Sequence, residues 1–234
     1  MIRTRSMHFV ALVAAFLMFS TMVTSGVTSR ADDAASRYFK SIHGNAAVDA
    51  VMIAITTMGD VSTLFLIGIV LTIIRRTRKA GMIFLIALIA IVILVMYMKP
   101  LIGREVPPYT FVPALGLPEN FSLENDSLAP FAAGFSYPSG HASRTTAFAF
   151  IFGFLLYQKS RRAGYAIWAF PVIVGITRLY VMQHYPTDLI GGFLFGGMVS
   201  VVLANAMKLE QPFSMSRIKG KEDKPSFRRQ GGNL

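Results

Sequence analysis

Residues 177–188, TRLYVMQHYPTD, set a histidine, a carboxylate and an arginine at spacings that suit nucleophilic or acid–base chemistry. His184 falls in a tight hairpin, just ahead of a helix that starts at Pro186 or Thr187. Proline suits that first turn, where its missing N–H costs nothing. Asp188 follows His184 by four residues, and its carboxylate can reach an imidazole nitrogen. A carboxylate on one ring nitrogen fixes the tautomer and leaves the other as a nucleophile or a base. Arg178, nearly two turns back along the preceding helix, can hold a phosphate through two parallel hydrogen bonds. Taken alone, the same residues also make an N-capping aspartate beside a surface histidine.

Two further clusters have the same character. In FSYPSGHASRTTAFAF, residues 135–150, Ser139 is a good N-cap and Gly140 lets a ligand approach the backbone. A helix N-terminus with a small-residue approach is an anion site. His141 rides on that first turn and can give a proton to a leaving oxygen. In KPLIGREVPP, residues 99–108, Lys99 and Arg104 put two cations at a span end, and Pro100 is expected to discourage further regular helix.

The elements that position these clusters are membrane helices. Of 234 residues, 53% are hydrophobic and 15% charged, with a mean hydropathy of +0.53. A soluble domain carries about 25% charge. Six apolar segments have spanning length, at about 8–27, 50–74, 80–98, 141–157, 163–181 and 187–207. They read as helices, because an unpaired strand cannot satisfy its backbone in lipid. The expected fold is all-α: a polytopic six-helix bundle forming one domain over residues 1–207. Residues 208–234 are expected to be a basic, disordered cytoplasmic tail that touches anionic headgroups. There is no cysteine, hence no disulfide or thiolate metal site.

Charge placement orients the bundle. Sixteen of the 23 Lys and Arg fall before span one, between spans two and three, between spans four and five, or in the tail. The bias puts those segments and both termini in the cytoplasm. It also accounts for the net charge of +11 without nucleic acid. The first segment reads as a retained helix rather than a cleaved signal, since no clean A-x-A site follows it. The stretch SRADDAASRYFKSIHG, residues 29–44, reads as a short interfacial helix. Lys99, Arg104, Arg144 and Arg178 lie on the opposite, extracytoplasmic side, at span ends or in the long loop 99–140. Single cations there snorkel to headgroups; four beside two histidines favour an anion site. Asp60 inside span two costs about 2.5–3.5 kcal/mol at mid-membrane, so it should face protein or water. The loop also holds acceptor sequons at Asn120 and Asn125. Its length suits a lid.

Together the clusters resemble the type 2 phosphatidic acid phosphatase (PAP2) superfamily, whose pattern is K-x6-RP, PSGH, then SR-x5-H-x3-D. PSGH stands at 138–141. Arg178, His184 and Asp188 keep the third spacing, with Thr177 for the leading serine. The first motif departs: Val106 stands where the family has arginine, and Arg104 lies two positions earlier. The resemblance covers nearly all of residues 50–207. It implies that His184 attacks phosphorus, that Asp188 orients it, and that His141 protonates the leaving oxygen. It also implies that Lys99, Arg104, Ser139, Gly140 and Arg178 hold the phosphate, with Arg144 a candidate for the place left by Val106. No metal and no cofactor are implied. The expected partners are membrane lipids and a lipid phosphate or pyrophosphate substrate. A phosphotransferase with an acceptor other than water, or a weak lipid-phosphate binder, stays open.

Overall fold

The computed structural model describes residues 3–118 and 121–211. The basic tail beyond residue 211 and the sequon at Asn120 lie outside the described residues. Among those described, nine α-helices and one 3₁₀ turn at Pro130–Ala132 form, and no strand does. The helices are α1 Met7–Thr24, α2 Ser29–Ser41, α3 Ala46–Thr57, α4 Val61–Ile73, α5 Arg78–Ile102, α6 Gly140–Lys159, α7 Arg161–Ala166, α8 Ala169–Tyr180 and α9 Pro186–Ala206.

α6 is the central element and packs on α5, α7, α8 and α9. Phe84, Phe148 and Phe152 stack edge-on or tilted in its lower half, with Ile91, Ala147 and Ile151 filling between. Small residues bring α9 against it. A Cβ on Gly192 would lie 2.6 Å from the Ser139 carbonyl, and one on Gly196 2.3 Å from that of Ser143. Lipid gives helices no hydrophobic reason to associate, so close backbone approach through glycine supplies the attraction instead. α1 lies along α9, with Phe16 and Phe195 ring centroids 5.6 Å apart. Leu66, Ile73, Ile89 and Leu101 point outward, as lipid-facing side chains do.

Length and apolarity alone make four spans: α1, α5, the run Arg161–Tyr180, and α9. A fifth is the pair α3 and α4, bent by 51° at Met58–Asp60. The sixth expected span, α6, has 20 residues, but its first two turns are polar. The bend is the main departure from a straight second span. It places Asp60 at a helix start rather than within one, with its backbone extended. The freed groups find partners. The Gly59 carbonyl accepts from Arg144 Nε at 3.2 Å, and the Val61 N–H donates to Glu124 Oε2 at 2.8 Å. Broken membrane helices persist where such partners replace the lost ladder.

α5 runs past Pro100 to Ile102, one turn further than expected. Left-handed Gly103 (φ 70°) ends it, donating its N–H to the Lys99 carbonyl at 2.9 Å. A proline in a last turn removes one bond and leaves little helix to disturb. α2 forms where the short interfacial helix is expected and buries Asp32 and Ser36 while Arg30 and Arg37 stay exposed.

Candidate active site

The ends of α5, α6, α8 and α9 and the α3–α4 break converge at one end of the bundle. Lys99 comes from the last turn of α5, His141 and Arg144 from the start of α6, Arg178 from the last turn of α8, and Asp188 from the first turn of α9. His184 sits in the α8–α9 turn, which is tight enough to force Met182 to φ 58°. That left-handed conformation is uncommon for a side chain without a local hydrogen bond. All of these polar side chains are buried.

His184 Nδ1 lies 3.5 Å from Asp188 Oδ2. The approach has ion-pair distance without hydrogen-bond alignment, and Nδ1 has no other partner. Asp188 is itself fixed: Oδ2 accepts the Tyr185 N–H at 2.8 Å and Oδ1 accepts Arg104 Nη1 at 2.8 Å. The other ring nitrogen, Nε2, faces across the site.

What it faces is Asp126, a buried loop carboxylate that belongs to none of the three motif clusters. Asp126 Oδ2 lies 2.6 Å from His184 Nε2 and accepts the Gly140 N–H at 2.5 Å and the Ser139 hydroxyl at 3.3 Å. Oδ1 accepts the His141 N–H at 3.1 Å and also contacts His141 Nδ1. Arg144 and Arg178 stand 3.5 and 3.9 Å from Oδ1. Lys99, also buried, lies within electrostatic range. The cradle is therefore built from the N-terminus of α6, two histidines and three cations, all converging on one anion. Gly140 leaves room for that carboxylate: a Cβ there would come 3.0 Å from Asp126 Cγ, tight enough that the side chain must shift.

Other acids complete the ring. His141 Nε2 meets Asp60 Oδ1 at 2.9 Å, across the α3–α4 break. Glu124 Oε1 accepts Arg144 Nη2 at 2.8 Å, and the Glu124 carbonyl accepts Arg178 Nη2 at 3.1 Å. Arg178 also binds Thr56 and Gln183. Asp60, Glu124 and His141 bring ligand atoms within 4.8 Å of one another, a grouping with the makings of a cation site, drawn from three distant parts of the chain. Each already has a partner of opposite charge or a hydrogen-bond donor. Burial pushes the Asp126 carboxyl up, but the two histidines outweigh it and hold the group well below the usual carboxylate range. Burial pushes Glu124 up, and Arg144 offsets this only in part.

Arg104 departs from its expected place among the phosphate ligands. Its guanidinium binds Asp188, Asp32 Oδ2 at 2.6 Å and Thr187 Oγ1 at 2.5 Å, and stacks 4.2 Å from the Tyr185 ring. Three acceptors and an aromatic face hold it behind Asp188, away from the cradle. Val106 lines a cavity of about 210 Å³ together with Lys99, Asn125 and His184. Through Val106, Met182 and Gln183 that cavity adjoins one of about 320 Å³ under the loop. Asp60 faces protein as expected, on His141, whereas Asp126 and Glu124 are the acids missed from sequence. Their one signal was LENDS, residues 123–127, two acids in a loop facing a cation-rich rim.

A polytopic helical bundle with a histidine-and-arginine anion cradle at one end is the class that fold and site define. Residues 80–211, more than half of the chain, match the PAP2 superfamily, and the chain belongs to that superfamily. It is 30% identical to an undecaprenyl-diphosphatase of Sulfolobus acidocaldarius over 164 residues, 69% of this chain and 73% of that one. It is 27% identical to the undecaprenyl-diphosphatase BcrC of Bacillus subtilis over 184 residues, 75% and 85% of the two chains. A lipid A 1-phosphatase of Rhizobium etli is 42% identical over 83 residues; the chain spans about a third of that relative's length. The fold is like that of a transmembrane PAP2-type phosphatidylglycerolphosphate phosphatase from Bacillus subtilis, with a TM-score of 0.67 at 22% identity, covering 88% of this chain and 98% of the other.

Proposed function

We propose that the protein is a membrane-integral phosphatase that removes phosphate from a lipid phosphate or diphosphate at the extracytoplasmic face. The observation that carries this reading is the cradle itself, in which His184 Nε2 and the α6 N-terminus address the same anion. His184 Nε2 attacks phosphorus, forming an N–P bond as the P–O bond to the lipid breaks. His141 gives its proton to the departing oxygen. It then takes a proton from water, which attacks the phosphohistidine and frees phosphate. Lys99, Arg178, Arg144, Ser139 and the Gly140 N–H stabilise the charge that builds on the equatorial oxygens. These cations and the helix N-terminus supply the positive field, so no metal is assigned a step. Asp188 and, behind it, Arg104 orient His184.

The bias of basic residues supports a cytoplasmic side for those loops and both termini, and so an extracytoplasmic site that a lipid headgroup reaches by lateral diffusion. A cysteine at Asn125, exposed in an otherwise cysteine-free chain, should react with an impermeant reagent from outside; protection there would reverse the orientation.

The test is phosphate release by detergent-purified protein from a polyprenyl diphosphate, a phosphatidate and a soluble ester, with chelator present. Release that His184→Ala and His141→Ala each abolish, with acid-labile phosphate on the wild-type protein after rapid quenching, is expected. Consumption of lipid without free phosphate, or no turnover on any substrate, would overturn hydrolysis as the reaction.

A further inference from the structure

Asp126 stands where the mechanism needs the phosphoryl group. A ring nitrogen bonded to that carboxylate is not free to attack phosphorus, so turnover requires Asp126 to leave. Glu124 repeats the arrangement two residues earlier. Each acid sits on the first N–H groups of a long helix: Glu124 on Val61 of α4 at 2.8 Å, Asp126 on Gly140 and His141 of α6. Arg144 Nη2 spans the two, 2.8 Å from Glu124 Oε1 and 3.5 Å from Asp126 Oδ1. Among the described residues, no backbone-to-backbone hydrogen bond ties residues 122–128 to the rest of the protein. Besides a bond from the Ser127 hydroxyl to the Ala132 carbonyl at 3.1 Å, the segment is held through its carboxylates and the Glu124 carbonyl, by donors that an incoming phosphate also seeks.

We propose that residues 123–127 are a specificity-determining strap whose two carboxylates occupy two adjacent anion positions, so that a diphosphate, which replaces both, is admitted in preference to a monophosphate, which replaces Asp126 alone. The proposal rests on the reading of this cradle as a phosphoryl site. A tethered anion competes at an effective concentration of about millimolar, which keeps dilute free phosphate out. The apparent affinity of a ligand is lowered by the fraction of molecules in which the carboxylate it replaces is withdrawn, Asp126 alone for a monophosphate and both acids for a diphosphate. Removing a carboxylate lifts that penalty.

Inorganic phosphate and methylenediphosphonate serve as probes, with binding to the full chain read by calorimetry. Asp126→Asn should tighten both by about tenfold or more. Glu124→Gln should tighten methylenediphosphonate alone. Equal tightening of both by Glu124→Gln would overturn the two-position arrangement, and no tightening by Asp126→Asn would overturn the strap. Ser127→Cys gives a readout that does not depend on the acid variants folding. Saturating methylenediphosphonate should speed its reaction with a water-soluble maleimide several-fold; an unchanged rate would also overturn displacement. Should no lipid be hydrolysed while Asp126→Asn still tightens both probes, the hydrolase reading fails and the strap stands.

Discussion

Oδ2 of Asp126 lies 2.6 Å from Nε2 of His184, the ring nitrogen on the side away from Asp188. A residue from a loop thus holds the atom best placed for attack, while its second oxygen contacts His141. The two histidines are linked through this carboxylate rather than to each other. Asp126 belongs to the resting site as firmly as the motif residues do.

Arg104 binds Asp188 and Asp32. Arg104→Gln removes a charge-assisted bond to a buried acid, worth about 1.5–3 kcal/mol, or roughly ten- to a hundredfold. The loss should fall on kcat with KM nearly unchanged, and Arg104→Lys should recover part of it. A rise in KM alone would place Arg104 on the phosphate after all.

Val106 faces the cavity beside His184 and Lys99. Val106→Arg puts a guanidinium within reach of a bound phosphate. KM for the lipid substrate should fall by about ten- to a hundredfold if one charge-assisted bond forms. Steady-state kinetics on the single variant decides it.

Gly196 meets the Ser143 backbone, which cannot yield as a side chain can. Gly196→Ala should destabilise the bundle by about 1–3 kcal/mol through overpacking. Gly197→Ala is the control, since its Cβ would meet only Leu12 Cδ2 at 3.7 Å. Thermal unfolding in detergent should separate the two.

Asp126 and Glu124 give opposite signs in pH. Asp126 is depressed in the folded state, so its stabilisation is complete above the ordinary value of about 3.9 and is lost as pH falls through the lowered one. Glu124 is raised, so its contribution is complete below the ordinary 4.5 and is lost as pH rises through the raised value. The Tm difference between wild type and Asp126→Asn should shrink only at the acid end of a pH 3–7 series. The difference from Glu124→Gln should shrink toward the neutral end.

What could be read from sequence is what is local. The helix start at Ser139, the spacing of His184 and Asp188, and the edges of α9 each depend on residues a turn apart, and each has its expected place. The span count and the bend at Gly59 were not local. The bend persists because Arg144 and Glu124, 85 and 63 residues away, take its free carbonyl and N–H. Arg104 was misplaced for the same reason. Its proximity to Lys99 suggested a shared ligand, whereas Asp32, 72 residues upstream, draws it elsewhere. Asp126 left no periodic or spacing signal, since loop acids take their roles from whatever they dock against.

The broken second span also bears on biogenesis. Its carbonyl at Gly59 waits for Arg144, which is synthesised two spans later. Until α6 enters the bilayer, the Gly59 carbonyl lacks its Arg144 donors, and that end of the break must stay wet or straighten. His184 arrives later still. The two histidines therefore meet across Asp126 only when the α8–α9 turn closes on the start of α6.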